Sequence, residues 1–392
     1  MLSPFVRFPS RPVPSLRLGI LLGSWFLLQL RPMRAENSLS YKFVDYREDG
    51  DRMVIHSHYG LLDHDLGPDM RLKLQGVVDT IAGATPTGQP PQNPGEPVPT
   101  THLTDRRKAW SADFSRQFTG VNVAVGFANS REHDYVSNGL SLNTLTDFNQ
   151  KNTTLLLGVA GTDDDIRVLY QSAWLKKHTM DLVAGVTQLL DPQTSVTLNL
   201  TYGHSSGYHA DPYRVVEQRT EVVPGVFLPL TFGENRPQTR DRYIAYTVLN
   251  RTFAEAHGAL EASYRLFHDT FGTTAHTLEM AWYQKFGEHF TLRPSLRFYE
   301  QTAADFYRID ITGANFQPTG MPVAAGPFYS ADYRLSAFRS TDYGLKAIWT
   351  VNAAWRLDVS YDRYEMRGRD GVTSPSVYPK AAIINAGVTF SW

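Results

Sequence analysis

The chain contains no cysteine. That excludes disulfides, thiolate metal sites and cysteine nucleophiles, and it suits passage through an oxidising compartment. An excess of one charge is also missing: 38 basic residues stand against 39 acidic ones, for a net charge of −1. Nucleic acid is therefore not expected as a partner, because phosphate binding needs a basic footprint. Past the first apolar run, at 18–30, no stretch of about 18 apolar residues occurs, so no membrane helix is expected. A repeat of about 40–45 residues is absent too, which argues against a propeller.

What the chain has is alternation. Ile384, Ala386, Val388, Phe390 and Trp392 share one face of a final period-two segment, and Asn385, Gly387, Thr389 and Ser391 share the other. An aromatic residue closing such a strand is the usual ending of bacterial outer-membrane barrels. Phe390 and Trp392 are therefore expected to be the signature read by the barrel assembly machinery. At the other end, Arg7, Arg11 and Arg17 precede the apolar run 18–30, and Arg34-Ala35-Glu36 opens a polar region. These features predict a secretory signal peptide over 1–35, cleaved after Ala35, and a barrel domain over 36–392. The expected location is the bacterial outer membrane, reached through the periplasm.

Alternating segments fall at 38–47, 53–61, 70–81, 107–117, 121–130, 137–147, 153–161, 180–190, 194–204, 242–252, 259–268, 276–285, 289–300, 342–351, 355–366 and 381–392. Each is near the length a tilted membrane strand requires. The long connections, 82–105, 162–178, 210–239, 301–341 and 368–380, all follow odd-numbered segments, which puts them on one side. The pattern predicts an all-β fold: a transmembrane antiparallel up-and-down β-barrel of about sixteen strands, with short periplasmic turns and long extracellular loops. Low mean hydropathy agrees, since half of each strand is hidden from lipid.

A lipid-facing Arg or Lys at the bilayer midplane costs about 2–4 kcal/mol, so the charged faces must point inward. Arg71, Lys73, Arg265, Glu279, Arg293, Arg297, Lys346, Arg356 and Asp358 are the lumen candidates on the strands, beside Lys42, Asp79, Asp113, Glu261, Lys285 and Asp362. Two readings stay open: the charges line an aqueous pore, or they pair across the lumen and close it. Phe290 and Trp355 begin their strands at the turn side, as an interfacial girdle requires.

Gly203-His204-Ser205-Ser206-Gly207 matches the G-x-S-x-G nucleophile pattern, with His204 and His209 close by. That motif needs a strand-to-helix turn, and no helix signal follows it. His56 and His58, two apart on one strand, share a face and are expected to hydrogen-bond in the barrel interior. Asp163-Asp164-Asp165 is expected to be a solvated turn in an outer loop.

The segments DLGPDM (65–70), GATPTGQPP (83–91), DFNQKNTT (147–154), LTYGHSSGYHADPYR (200–214), AHTLEMAWYQ (275–284), QTAADFYR (301–308), SADYRLSAF (330–338) and YGLKA (343–347) resemble an uncharacterised domain-of-unknown-function family of Gram-negative outer-membrane barrels. The resemblance spans nearly all of 36–392. It implies an outer-membrane barrel, and it carries over no activity and no catalytic or binding residue. Several of these segments are predicted loops, and Tyr307, Arg308, Tyr333 and Arg334 are candidates for a constriction where they fold into the mouth. The expected function is a channel or solute-binding transporter. The alternatives are a closed scaffold that binds a partner through its outer loops and, as a minor reading, an outer-membrane esterase. Expected partners are outer-membrane lipids, the assembly machinery and a small solute, with no cofactor and no metal.

Overall fold

The computed structural model describes residues 37–93, 95–168, 174–319 and 322–392; the expected signal peptide, 1–35, lies outside them. The strands are β1 (Ser38–Glu48), β2 (Met53–Gly67), β3 (Met70–Pro86), β4 (Thr100–Phe118), β5 (Val121–Arg131), β6 (Tyr135–Phe148), β7 (Thr153–Arg167), β8 (Trp174–Asp191), β9 (Thr194–Gly207), β10 (Val215–Val223), β11 (Val226–Gly233), β12 (Thr239–Phe253), β13 (Gly258–Asp269), β14 (Thr274–Phe286), β15 (Phe290–Gln301), β16 (Phe338–Thr350), β17 (Trp355–Gly368) and β18 (Lys380–Ser391). Sixteen of them pair in chain order into a closed antiparallel barrel, and β10 and β11 form a separate hairpin. The seam runs from Ser38↔Ser391 to Glu48↔Ala381. Turns of two to four residues lie at one end, and the long connections lie at the other.

Period two gives the wall its two faces. Outward-facing Trp110, Phe114 and Phe118 on β4, and Trp355, Leu357, Val359 and Tyr361 on β17, are all exposed. From Trp110 to Phe118 is about 27 Å of strand, or about 20 Å of height at a tilt near 40°, close to a membrane barrel's apolar band. A turn-side girdle is made by Phe118, Phe148, Phe286, Phe290, Trp349, Trp355 and Trp392, all exposed. Phe390 stacks between Trp355 and Trp392, with ring centroids 4.8 and 5.6 Å away.

His56 and His58 do not face the interior. They share the outer face with Leu39, Tyr41 and Phe43, where His58 Nδ1 meets the Tyr41 hydroxyl at 2.7 Å and His56 pairs with Asp45 at 3.1 Å. Tyr264 and His276 repeat the motif at 2.6 Å. These pairs form an amphipathic rim toward the loop side, where the apolar band ends.

On the inner wall, polar side chains lie flat over glycines directly opposite in register. Asp113 covers Gly126, Asn143 covers Gly158, Asn199 covers Gly185, Asp362 covers Gly344 and Asp358 covers Gly387. A Cβ on Gly185 would stand 2.0 Å from Asn199 Oδ1, so the small residue makes room for the reclining amide.

Several strands run past the lengths set by their alternation. β7 and β8 continue to Arg167 and from Trp174, so Asp163–Asp165 sits in paired strand and not in a loop turn. Asp164 is buried, 2.5 Å from the Lys177 ammonium and hydrogen-bonded by Tyr135 and Ser137. Within the connection 208–238 lies the unforeseen β10–β11 hairpin, whose residues 219–231 are all exposed. At the loop end the barrel is filled. Val98, Tyr333, Val377 and Tyr378 from three connections pack on Tyr46, Met53, Ile55, Tyr299, Phe338, Tyr364, Met366, Ala381 and Ile383 of the inner wall. Phe271, Ala304, Phe306 and Leu335 form a second patch.

Gly185→Ala should force Asn199 off its seat and cost about 1–3 kcal/mol, as overpacking does. Heat-modifiability and urea unfolding should show the loss, and Gly185→Ala/Asn199→Ala should recover most of it. An unshifted transition in the single variant would contradict this packing.

Candidate functional site

Two connections meet in the filled mouth: 208–238, after β9, and 302–337, after β15. Asn235 locks them together. Its backbone exchanges hydrogen bonds with Tyr329 at 3.1 and 2.8 Å, and its side chain bonds Pro327 O at 2.7 Å and Val323 N at 2.9 Å. Tyr329 is fully buried beneath this contact. A single 3-10 turn, Tyr333–Leu335, follows, and the Asp332 carboxylate caps it by accepting from the Arg334 N–H.

Six charged groups converge here. Arg334 forks onto Asp332 at 2.8 and 2.9 Å from Nε and also holds Asp211. Arg236 bonds Glu234 at 2.7 Å and Asp332 at 2.9 Å. Glu234 accepts the Asp211 N–H at 2.9 Å and the Ser330 hydroxyl at 2.5 Å. Arg214 donates to Thr85 on β3 at 2.9 Å, stacks over Tyr333 at 5.5 Å, and comes no nearer than 3.9 Å to Asp332. Burial would raise the Asp332 carboxyl, but Arg334 and Arg236 hold it well below the usual range. Burial opposes the Arg334 charge, and Asp332 and Asp211 outweigh it, raising that group well above its ordinary value. Burial pushes Glu234 up and the Tyr333 hydroxyl up to about 12.

Of the four loop residues expected at a constriction, Tyr333 is buried and Arg334 lies in the network. Tyr307 bonds Thr373 at 2.6 Å across two connections. Arg308 departs from the expectation: it is exposed, with its guanidinium 5.9 Å from the Phe316 ring. On the barrel wall, Arg71, Lys73, Arg265, Glu279, Arg293, Arg297, Lys346, Arg356 and Asp358 lie on the register positions of the inner face. The ion pairs of Arg71, Lys73, Arg293, Arg297 and Lys346 run along the wall. Arg71 holds Asp63 at 2.5 Å and Asp65 at 3.3 Å, and Lys73 reaches Asp63 at 3.6 Å. Arg297 bonds Glu279 at 2.8 Å, Lys346 bonds Asp358 at 2.8 Å, and Arg293 reaches Glu261 at 3.6 Å. Arg265 lies 5.3 Å from the Phe267 ring.

Asp211, Arg214, Glu234, Arg236 and Asp332 were absent from the sequence-based candidates. Their signal was an acid followed two or three residues on by arginine, in DPYR, ENR and DYR.

Ser205 Oγ meets His209 Nε2 at 2.8 Å, and His209 Nδ1 faces the Gly207 carbonyl at 3.0 Å. That is the nucleophile–base contact of acyl transfer. Here a carbonyl, not a carboxylate, orients the imidazole, and both side chains are buried, with Phe271 edge-on at 5.9 Å. Burial, then Lys177 and Arg240, push His209 down to about 3, so it packs as a neutral ring. Elsewhere on the loop side, carboxylate oxygens of Asp105, Glu132 and Asp134 lie within 4.8 Å of one another, an arrangement common without an ion.

Removing one partner of a buried, hydrogen-bonded charge pair costs about 3–5 kcal/mol. Arg334→Ala should accordingly destabilise the mouth, and Asp332→Asn/Arg334→Gln should lose less than the sum of its single variants in a double-mutant cycle. Additive losses would deny the coupling. His209 supplies a pH test. Its folded value lies below the free one, so its contribution is complete above about 6.5. It falls away as pH drops toward 3, because the unfolded chain takes up the proton first. His209→Gln should flatten that part of the unfolding profile, and an identical slope in parent and variant would contradict a neutral buried His209.

No curated protein matches the sequence. Among solved structures, the siderophore receptor PirA from Pseudomonas aeruginosa is 12% identical, with 92% of this chain aligned on 62% of the receptor at a TM-score of 0.44. A bacterial polysaccharide outer membrane secretin is 8% identical, with 92% of this chain aligned on 99% of the secretin at a TM-score of 0.49. The CymD monoaromatic hydrocarbon channel is 10% identical, with coverages of 92% and 89% and a TM-score of 0.43. The chain thus spans about 62% of the receptor's length. The model of one sequence family matches residues 27–174 and 169–391, nearly the whole barrel, and this chain belongs to that family, described as Protein of unknown function (DUF3570).

Proposed function

We propose that the protein is an outer-membrane solute channel or transporter whose mouth is closed by its own inward-folded loops. In this reading the turns face the periplasm and the loops face outside. Residues 1–35 direct export, and Phe390 and Trp392 serve the assembly machinery. Lipid covers the belt of Trp110, Phe114, Leu357 and Val359. Arg71, Lys73, Arg293, Arg297, Lys346, Arg356 and Asp358 line a vestibule whose paired charges a passing solute meets in both signs. Arg334 belongs to the closure, and Arg308 stands at its outer surface.

One observation carries this reading: the mouth is closed by buried charge. Six ionisable groups buried together are weak grounds for permanent stability, since an apolar filling of the same volume is often as stable or more so. Their best-attested use is to specify one arrangement over another, as a switch requires. A permanent scaffold has no such need. The scaffold reading draws on a different observation, the β10–β11 hairpin, whose Val222, Val223, Val226, Phe227, Leu228 and Leu230 are all exposed. A partner captured there would leave the lumen closed. Ester hydrolysis through Ser205 is the least supported reading, because its hydroxyl is buried against His209 and Arg240 O.

Planar-bilayer recordings separate the first two readings. The parent protein should conduct rarely. Replacement of 304–335 by a short glycine–serine linker should give stable, large conductance steps. Asp332→Asn should raise the open frequency without changing step size. A loop-replaced barrel that folds, by heat-modifiability, and still does not conduct would favour the scaffold.

A further inference from the structure

A narrow crevice of about 50 Å³ opens at the outer surface of the closed mouth, among segments 86–91, 307–309, 331–333 and 372–374. Arg214 lines it, with Tyr307, Tyr333, Thr373 and Ser374. Arg214 is 4% exposed, yet its Nε and Nη1 have no hydrogen-bond partner. A buried donor without an acceptor carries its full desolvation cost, and in native proteins such a group calls for a specific explanation.

Its neighbours do not supply that acceptor. Asp332, the nearest carboxylate in its ion pair, is 3.9 Å from Arg214 Nε and already accepts from both Arg236 and Arg334. Asp211 is held by Arg334 and Glu234 by Arg236. Arg214 is therefore the least compensated of the three guanidiniums in the network. The walls of the crevice add polar groups suited to an oxygen-rich guest. The Tyr307 hydroxyl meets Thr373 at 2.6 Å, and Ser374 Oγ lies 3.0 Å from Ser376 Oγ.

We infer that this crevice is an oxyanion-binding site, in which Arg214 receives the carboxylate or phosphate group of a solute arriving from outside. A metal cation is repelled by the guanidinium, and an apolar guest leaves the N–H groups without acceptors. The volume is that of one or two waters, about 30 Å³ each, so only the charged end of a solute enters and the rest stays outside. A guanidinium with unpaired N–H groups is the side chain best matched to such an end. Binding there touches Tyr333 and Arg214, both of which contact the central network, so an arriving anion competes with Asp332 for Arg214. This inference rests on the transport reading and names the class of solute for it.

The test is isothermal titration of the full chain, folded in detergent micelles at constant ionic strength in chloride, with inorganic phosphate, acetate and glucose. Saturable heats with phosphate or acetate and none with glucose are expected. Arg214→Gln should weaken oxyanion binding at least tenfold. Val372→Trp, which covers the exposed rim and leaves the network intact, should block it, while Arg219→Gln on the hairpin should bind as the parent does. If Arg214→Gln fails to fold, Val372→Trp decides alone. No oxyanion heat in the parent, equal heat with glucose, or parent-like binding in Val372→Trp would each overturn the site. The readout does not involve conductance, so a barrel that conducts without binding loses only this inference. One that binds without conducting after loop replacement loses only the transport reading.

Discussion

Every strand of the barrel depends on one joint, the pairing of β1 with β18 from Ser38↔Ser391 to Glu48↔Ala381. In a bilayer each backbone N–H and C=O needs a partner within the protein, and a sheet with open edges leaves two rows of them bare. Closing the seam removes both rows. It also separates an inside from an outside, and period two then sends alternate residues to opposite solvents. A slip of one residue in β17 would turn Trp355, Leu357 and Val359 inward and Arg356 and Asp358 outward. The inner wall adds its own fit, with side chains such as Asn199 and Asp113 lying over Gly185 and Gly126.

The closure of the mouth follows from that wall. At the loop end part of the inner face is apolar, and Tyr46, Ile55, Tyr364, Met366 and Ile383 offer a surface that must be covered. The connections cover it with Val98, Tyr333, Val377 and Tyr378. Apolar contact and buried charge thus hold the stopper together. The two differ in kind: burial of apolar surface is non-directional, whereas the fork of Arg334 on Asp332 is geometric and fails when displaced.

The sequence made the barrel legible because lipid enforces alternation. All sixteen predicted segments lie on barrel strands, and the long connections share one end. Legibility fades where lipid stops. Asp163–Asp165 and Lys176–His178 are polar on both faces, so no hydropathy pattern marked them as paired strand. The same boundary misplaced His56 and His58: their polarity pointed inward, but they stand on the outer rim above the apolar band, partnered by Asp45 and Tyr41. The β10–β11 hairpin failed for the opposite reason. VVPGVFLPL is apolar on both faces and broken by Pro224 and Pro229, which reads as a loop. The central network was illegible because its partners are distant. Arg334 and Asp211 are 123 residues apart, and only folding of two loops into one mouth makes them neighbours. Arg308 and Arg334, equally basic in sequence, part company for that reason.

One feature of the stopper limits what opening can mean. Segment 302–337 leaves the wall at β15 and returns to it at β16, and segment 208–238 leaves at β9 and returns at β12. β15 and β16 are adjacent, and so are β9 and β12, so each piece is moored at both ends to neighbouring staves. Neither can be expelled through the turn end like a cork or withdrawn as a separate domain. In the transport reading, passage comes from rearrangement of the two tethered segments in place. The aperture is then set by how far the two tethered arcs fold back from the loop end. On that reading, the reach of the arcs sets the size of solute admitted.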